Sequence, residues 1–537
     1  MAVTLNTDME VWRGMRRLQA TMPPAILAGA LVFLMAFGLF GATTSSLTGY
    51  EDETAAVTEG LVVGGHFYQL DDSPLKSQGV LGKGGHLYAR TGLLQPLIEA
   101  PFYAVGRFID SNFAAEGSFQ WGQTILWFFN PFVAALAAVA LFALIYLTRR
   151  SIGWAAVIAA LFVLASIAWP YAKIGMETTF MFAIIAAFAL AAWARQKPTL
   201  LSWSLAGFAA GAAAATKGYA VFSLLAIAVL LWPTFVKLDQ RTRIRQATAF
   251  ALPILVWGVA IAWYNWARFG SPTDFGYSDF ALTVSMPINI VGLLFSPGKG
   301  LIFYSPLVIL GALGLTRLWR QDRFLAAALL TLLITLTCAS GASAYWGDEV
   351  WGPRYIVPAA WTLLVPIAWW ADTKLRRRVL LGVASLGVLV QMIAISAPYS
   401  QYVAVVRAMT GVEVYGERFG VNIEKLPYGD DPPRWIPEVS PLLVQAEGLI
   451  SSQIVERLGG SGLEVTYHPL EGRTRTVNMS APGIRIAGDF WWHGPYNSTK
   501  AHAAALLMFL VSLASGLGLY LVSTGRSLSR GSREPHA

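Results

Sequence analysis

Apolar residues in this chain come in long blocks separated by short polar or basic stretches, a pattern on the scale of a membrane crossing. A helical crossing needs roughly 20 mostly apolar residues to cover about 30 Å of hydrocarbon. Blocks of about that size lie at 24–44, 121–148, 151–169, 178–194, 199–216, 219–236, 246–267, 301–316, 324–341, 355–371, 379–398 and 501–523. The expected fold is therefore an all-α polytopic membrane protein, a helical bundle of about twelve transmembrane helices. Two long stretches interrupt the pattern, 45–120 and 399–500.

The first long stretch opens on the acids of Tyr50-Glu51-Asp52-Glu53, where the first apolar block ends. Its Gly-rich run from Gly79 to Gly85, which contains Lys83, cannot be a regular element throughout. From Leu94 to Ile109 the pattern changes again, with apolar residues at three- and four-residue spacing and Gln95, Glu99 and Arg107 between them. This predicts a helix lying flat in the headgroup layer, broken or bent at Pro96 and Pro101. The second long stretch predicts a helix over about Ser440–Leu458 and short strands around Leu463–Tyr467 and Ile484–Ile486, a small mixed α/β domain. The expected division is a membrane domain over 1–398 including the first loop, the α/β domain over 399–500, and a last helix with its tail over 501–537.

Composition agrees with this division: 55% of residues are hydrophobic and 13% charged, too few charges for a water-facing surface. Charge placement adds an orientation, because Lys and Arg in short loops are retained on the cytoplasmic side. Alternate loops carry 15 basic residues (Arg149 to Arg378) against 5 in the loops between them (Lys173 to Arg354). Both termini are thus expected in the cytoplasm and the acidic stretch outside. The net charge of +8 is dispersed among these loops, which argues against nucleic-acid binding. The lone Cys338 lies in an apolar block and offers no disulfide. The first block reads as a retained anchor, since about twenty residues with Arg13, Arg16 and Arg17 precede it.

Ionisable residues near membrane depth are costly and ask for a partner or a task. Beside the three acids, the same side of the membrane collects Glu177, Lys217, Lys299, Asp348, Glu349 and Arg354. Each alone is explained by snorkelling or an interfacial ion pair; their gathering on one side is the signal. A carboxylate can take the proton of an acceptor hydroxyl while Lys or Arg stabilises a departing phosphate. Glu51, Asp52, Asp348 and Glu349 also suit Mg²⁺ or Mn²⁺, whereas His66 and His86 lack the spacing of a zinc site. The two halves of the chain do not align, which weighs against an ion-coupled carrier.

Several blocks together resemble the GT-C glycosyltransferases, in particular their bacterial branch similar to dolichyl-phosphate-mannose mannosyltransferases. They are Glu51-Asp52-Glu53, Tyr88 to Leu97 with Arg90, Glu177, Gly207 to Lys217, Ser296 to Pro306 with Lys299 and Tyr304, Trp346 to Tyr355, and Ser440-Pro441-Leu442. The resemblance implies a sugar transferred from a polyprenyl-phosphate donor to a glycan, lipid or protein acceptor outside the cytoplasmic membrane. It further implies a first-loop carboxylate as base, by position Asp52, with Glu51 and Glu53 as substitutes. Lys83, Arg90, Glu177, Lys217, Lys299, Tyr304, Asp348, Glu349 and Arg354 are then the expected substrate-binding residues, and membrane lipids the other partner. The competing expectation is a transporter or flippase of lipid-linked saccharides.

Overall fold

The computed structural model describes residues 23–45, 50–73, 75–77, 79–113, 120–175, 177–276, 285–343, 350–397, 399, 402, 435, 437, 440–457, 464–467, 475–478, 490–492 and 498–524. At 50, 51, 450–457, 464–467 and 475–478 the description is of the backbone only.

Helix α1 (Pro24–Ala42) leads to the acidic helix α2 (Tyr50–Glu59), which ends in a wide π turn closed by Gly65 at φ 70°. The Gly-rich run forms the turn of an antiparallel hairpin, β1 (Val80–Leu81) with β2 (Leu87–Tyr88). Helix α3 (Leu94–Phe113) follows and runs unbroken through Pro96 and Pro101, where a break or bend was expected. Pro96 falls in its first turn, where a missing N–H costs nothing.

The bundle continues with α4 (Trp121–Leu126), α5 (Phe129–Arg149), α6 (Ile152–Ala165), α7 (Ala168–Ile174), α8 (Thr178–Gln196), α9 (Leu200–Ala214), α10 (Ser223–Phe235) and α11 (Gln240–Phe269). Then come α12 (Met286–Phe295), α13 (Leu301–Tyr304), α14 (Leu307–Gln321), α15 (Arg323–Gly341), α16 (Val357–Ala360), α17 (Ile367–Trp370) and α18 (Lys374–Ser396). The second long stretch holds α19 (Pro441–Arg457) and a second hairpin, β3 (Glu464–Tyr467) with β4 (Arg475–Asn478), before the final helix α20 (Thr499–Thr524). The expected strand at 484–486 lies outside the described residues.

Among the described residues, eight helices are long and apolar enough to cross a membrane, or nine if α6 and α7, bent by 56° at their junction, form one broken span. The architecture is that of a multi-pass membrane helical bundle. Three of the twelve apolar blocks take other forms. The block at 199–216 gives the 15-residue α9. The block at 301–316 breaks at Ser305, because Pro306 disfavours a helical conformation in the residue before it. The block at 355–371 divides into short turns and helices around Pro358 and Pro366, and almost all of it is buried. An apolar run looks the same whether it faces lipid or fills a core.

Glycine permits close helix crossings. Gly207 and Gly211 of α9 face Phe250 and Trp257 of α11, and a Cβ at Gly207 would stand 2.0 Å from the Phe250 carbonyl oxygen. Such small-xxx-small pairs let backbones approach where no hydrophobic effect drives helices together. The first and last described helices also meet: Gly38 of α1 lies against the Met508 backbone of α20, and the Ser512 hydroxyl donates to the Met35 carbonyl at 2.8 Å. Just before α20, the indoles of Trp491 and Trp492 donate to the carbonyls of Gly41 and Ala42, at 2.9 and 2.7 Å. They satisfy acceptors that the end of α1 leaves open. Replacing Gly207 with Ala is expected to push α9 from α11 and destabilise the bundle by about 1–3 kcal/mol, read as a lower unfolding midpoint in detergent, whereas Gly258→Ala, which meets open space, leaves the midpoint unchanged.

Candidate functional site at the acidic rim

Glu177 is the residue on which the rim converges. It stands just before the first turn of α8, after a bend that needs Gly175 at φ 87°. The exposed N–H groups of a helix start favour a negative charge there. Its side chain makes no capping bond and turns instead to cations: Lys217 pairs with one carboxylate oxygen, and the Arg354 Nε donates to the same oxygen at 3.1 Å. The Tyr219 hydroxyl donates to the other oxygen at 3.4 Å. Glu177 has no exposed surface and Arg354 is 5% exposed. Their charges are therefore little screened.

The first-loop acids lie beside this cluster. Glu53 is buried and forms a 2.8 Å ion pair with Arg90, and it also accepts from the Arg90 backbone N–H at 3.2 Å. Burial pushes the Glu53 carboxyl above its usual range, the Arg90 guanidinium and N–H oppose that, Asp52 adds to it, and Arg354 again opposes it. Asp52 and Arg354 are thus both within electrostatic reach of Glu53. Asp52 is more open than Glu53, at the half-buried edge of α2. The side chain of Glu51 and all of Asp348 and Glu349 fall outside the description.

Two clamps hold the segment that presents Arg90. On one side Arg268, at the end of α11 and 2% exposed, donates to the Ala89 carbonyl at 2.7 Å and reaches the Thr91 carbonyl at 3.5 Å. Its guanidinium lies 3.8 Å from the ring centre of Tyr264. On the other side the Gly92 N–H donates to the Thr216 carbonyl at 3.0 Å, next to Lys217. A Cβ at Gly92 would stand 2.1 Å from the Ala215 carbonyl oxygen, so only glycine permits this approach. The Thr54 and Thr91 hydroxyls, 3.0 Å apart, complete the join between α2 and the clamped segment.

The other expected residues lie elsewhere. The Lys299 ammonium donates to the Val350 carbonyl and stands over the ring of Tyr399. Tyr304 is fully buried, with its hydroxyl on the Pro297 carbonyl at 3.3 Å and its ring edge-on to Trp351. Both organise the 296–306 and 350–352 segments that lead to Arg354. Lys83 sits on the exposed hairpin turn, 4.2 Å over the ring of Trp266. As for a metal, no group of three or more His, Cys, Asp or Glu able to hold one occurs among the described residues. His66 and His86 stack on Tyr68, with ring centres 3.5 and 3.9 Å away, so their ring nitrogens do not converge.

Between α2 and α3 lie two buried acids, Glu59 and Glu99, that the sequence does not single out as site residues. Helix α3 is turned inside out: Leu97, Val105 and Phe108 are exposed while Gln95, Glu99 and Tyr103 are buried. Glu99 accepts from Gln95 at 2.8 Å and from the Thr58 hydroxyl at 3.0 Å, and the Tyr103 hydroxyl donates to Glu59 at 2.7 Å. The sequence signal was present in the polar stripe opposite the apolar one, which on an interfacial helix must face protein. Burial pushes the Glu99 carboxyl up to about 7, against the opposing bonds from Gln95 and Thr58.

A buried acid of this kind binds its proton more tightly when folded. The fold is therefore expected to lose stability as pH rises from about 4.5 to about 7, by at most about 3 kcal/mol, and then to level off. Glu99→Gln is expected to flatten that slope in thermal unfolding between pH 5 and 8; an unaltered slope would assign the dependence to another group. No protein-family model and no curated protein sequence matches the chain.

Proposed function

We propose that this chain is a membrane glycosyltransferase that moves a sugar from a polyprenyl-phosphate carrier to a hydroxyl of an envelope glycan, lipid or protein acceptor. The observation that carries the reading is the meeting of Asp52 and Glu53 with Arg354 and Lys217 at one rim of an apolar bundle. Inverting transfer needs both halves of that arrangement. The Asp52 carboxylate takes the proton of the acceptor hydroxyl, and the acceptor oxygen attacks the anomeric carbon. The bond from that carbon to the phosphate oxygen breaks, and the departing phosphate keeps its electron pair. Arg354, whose planar guanidinium suits phosphate oxygens, and Lys217 balance the charge that develops there.

Asp52, half-buried on the same helix as the more deeply buried Glu53, is assigned the base by its position, with Glu51 and Glu53 as its substitutes. Glu177 holds Lys217 and Arg354 in register, and the phosphate takes its place beside them. The lipid-facing side of α3 supports a donor that arrives from within the leaflet, its chain along Leu97, Val105 and Phe108. The basic loops at the other rim support an extracytoplasmic site in the cytoplasmic membrane.

The test is release of polyprenyl phosphate from a labelled donor by purified protein in detergent. Asp52→Asn is expected to lower turnover by a factor of about 10² to 10⁴ with expression and unfolding midpoint unchanged, and Arg354→Lys to weaken turnover through loss of the two-point grip. Movement of intact lipid-linked sugar across vesicles, with no phosphate released, would instead establish a carrier.

A further inference from the structure

The β1–β2 hairpin lies apart from the acidic cluster and has a surface that the transferase reading does not use. Its turn is pressed onto the end of α11: a Cβ at Gly82 would stand 2.5 Å from the Arg268 carbonyl oxygen and 2.6 Å from the Tyr88 ring. From that seat Leu81 projects with 69% of its surface exposed, beside the exposed Lys83. The Lys83 ammonium is held 4.2 Å over Trp266, and Phe67 of the same loop packs edge-on against Trp263. Trp263 and Trp266 are themselves half exposed.

Depth along α11 says what this surface meets. The helix is 30 residues long, about 45 Å at 1.5 Å per residue, so it outruns the hydrocarbon core. Its first turns carry Arg241, Arg243 and Arg245, and the apolar run starts after Gln246. About 20 residues cross the core, and counted from Gln246 they end at Trp266. The outward stripe Leu252, Leu255, Val256, Val259, Trp263 and Trp266 thus runs through the lipid and finishes at the headgroups, where Trp is favoured. Lys83, over Trp266, stands at the end of that stripe, with the exposed Leu81 beside it on the hairpin.

We propose that the hairpin is a phospholipid-docking element: Lys83, steadied by Trp266, binds the phosphate of an anionic phospholipid in the leaflet of the acidic rim, with Leu81 seated among the upper acyl carbons. The continuity of the exposed stripe points to a bilayer as the occupant, and the exposed ammonium of Lys83 over Trp266 at its end points to an anionic headgroup. This holds whether or not the chain transfers sugars.

The test uses the full chain in nanodiscs of phosphatidylcholine with phosphatidylglycerol. In a Cys338→Ser background, a nitroxide on Leu81→Cys is expected to be relaxed more by oxygen than by a water-soluble nickel chelate, and one on Asp72→Cys the reverse. By native mass spectrometry, Lys83→Gln is expected to reduce the preference for phosphatidylglycerol roughly fivefold, with Lys83→Arg retaining it. Nickel-dominated relaxation at position 81, dipolar broadening between labels on two copies, or an unchanged lipid preference in Lys83→Gln would each overturn the proposal.

Discussion

One buried carboxylate organises the rim of this bundle. Glu177 at the start of α8 holds Lys217, which follows α9, and Arg354, which precedes the broken segment through Pro358. Removing one member of such a pair leaves an uncompensated charge in a dry interior, at a cost of about 3–5 kcal/mol. Three segments distant in sequence are therefore fixed relative to one another by a single side chain. The clamped segment that carries Arg90 is fixed to the same frame through Gly92 and Thr216. Glu177, Lys217 and Arg354 thus flank helices, and the loop segment that carries Arg90 is tied to them.

Under the proposed function, that arrangement suits a lipid-borne substrate. Groups that must act on a phosphate have to be oriented before it arrives, because reorganising buried ions during a reaction is costly. In the resting site the carboxylates of Glu53 and Glu177 keep Arg90, Lys217 and Arg354 in place. Helix α3 packs against α2 with Leu97, Val105 and Phe108 exposed and Glu99 turned inward.

Much of the fold was legible in the sequence, because hydrocarbon thickness imposes a length that apolar blocks must satisfy. The blocks of α1, α8 and α20 could be placed to within a few residues for that reason. The block at 355–371 was not legible as it folds, since Trp361 and Ile367 satisfy the same pattern in a protein core as in lipid. The site divides in the same way. Glu177, Lys217 and Arg354 were visible as charges flanking apolar blocks, where any ion is conspicuous. Arg268 and Glu99 were not, because Arg268 reads as an ordinary basic residue at a span end and Glu99 as the wet side of an amphipathic helix. Only tertiary packing buries them. The position of Lys83 over Trp266 was not legible either, because a glycine-rich turn does not reveal which way it folds.

The two indoles that cap α1 have a consequence for how the molecule is made. Trp491 and Trp492 come from the end of the chain, yet they finish the helix that leads into the acidic segment. A contact across some 450 residues cannot form while the ribosome is still at work on the later spans. The early spans therefore enter the bilayer with the last turn of α1 unsealed, and this rim takes its final shape only when the last helix has been inserted beside the first.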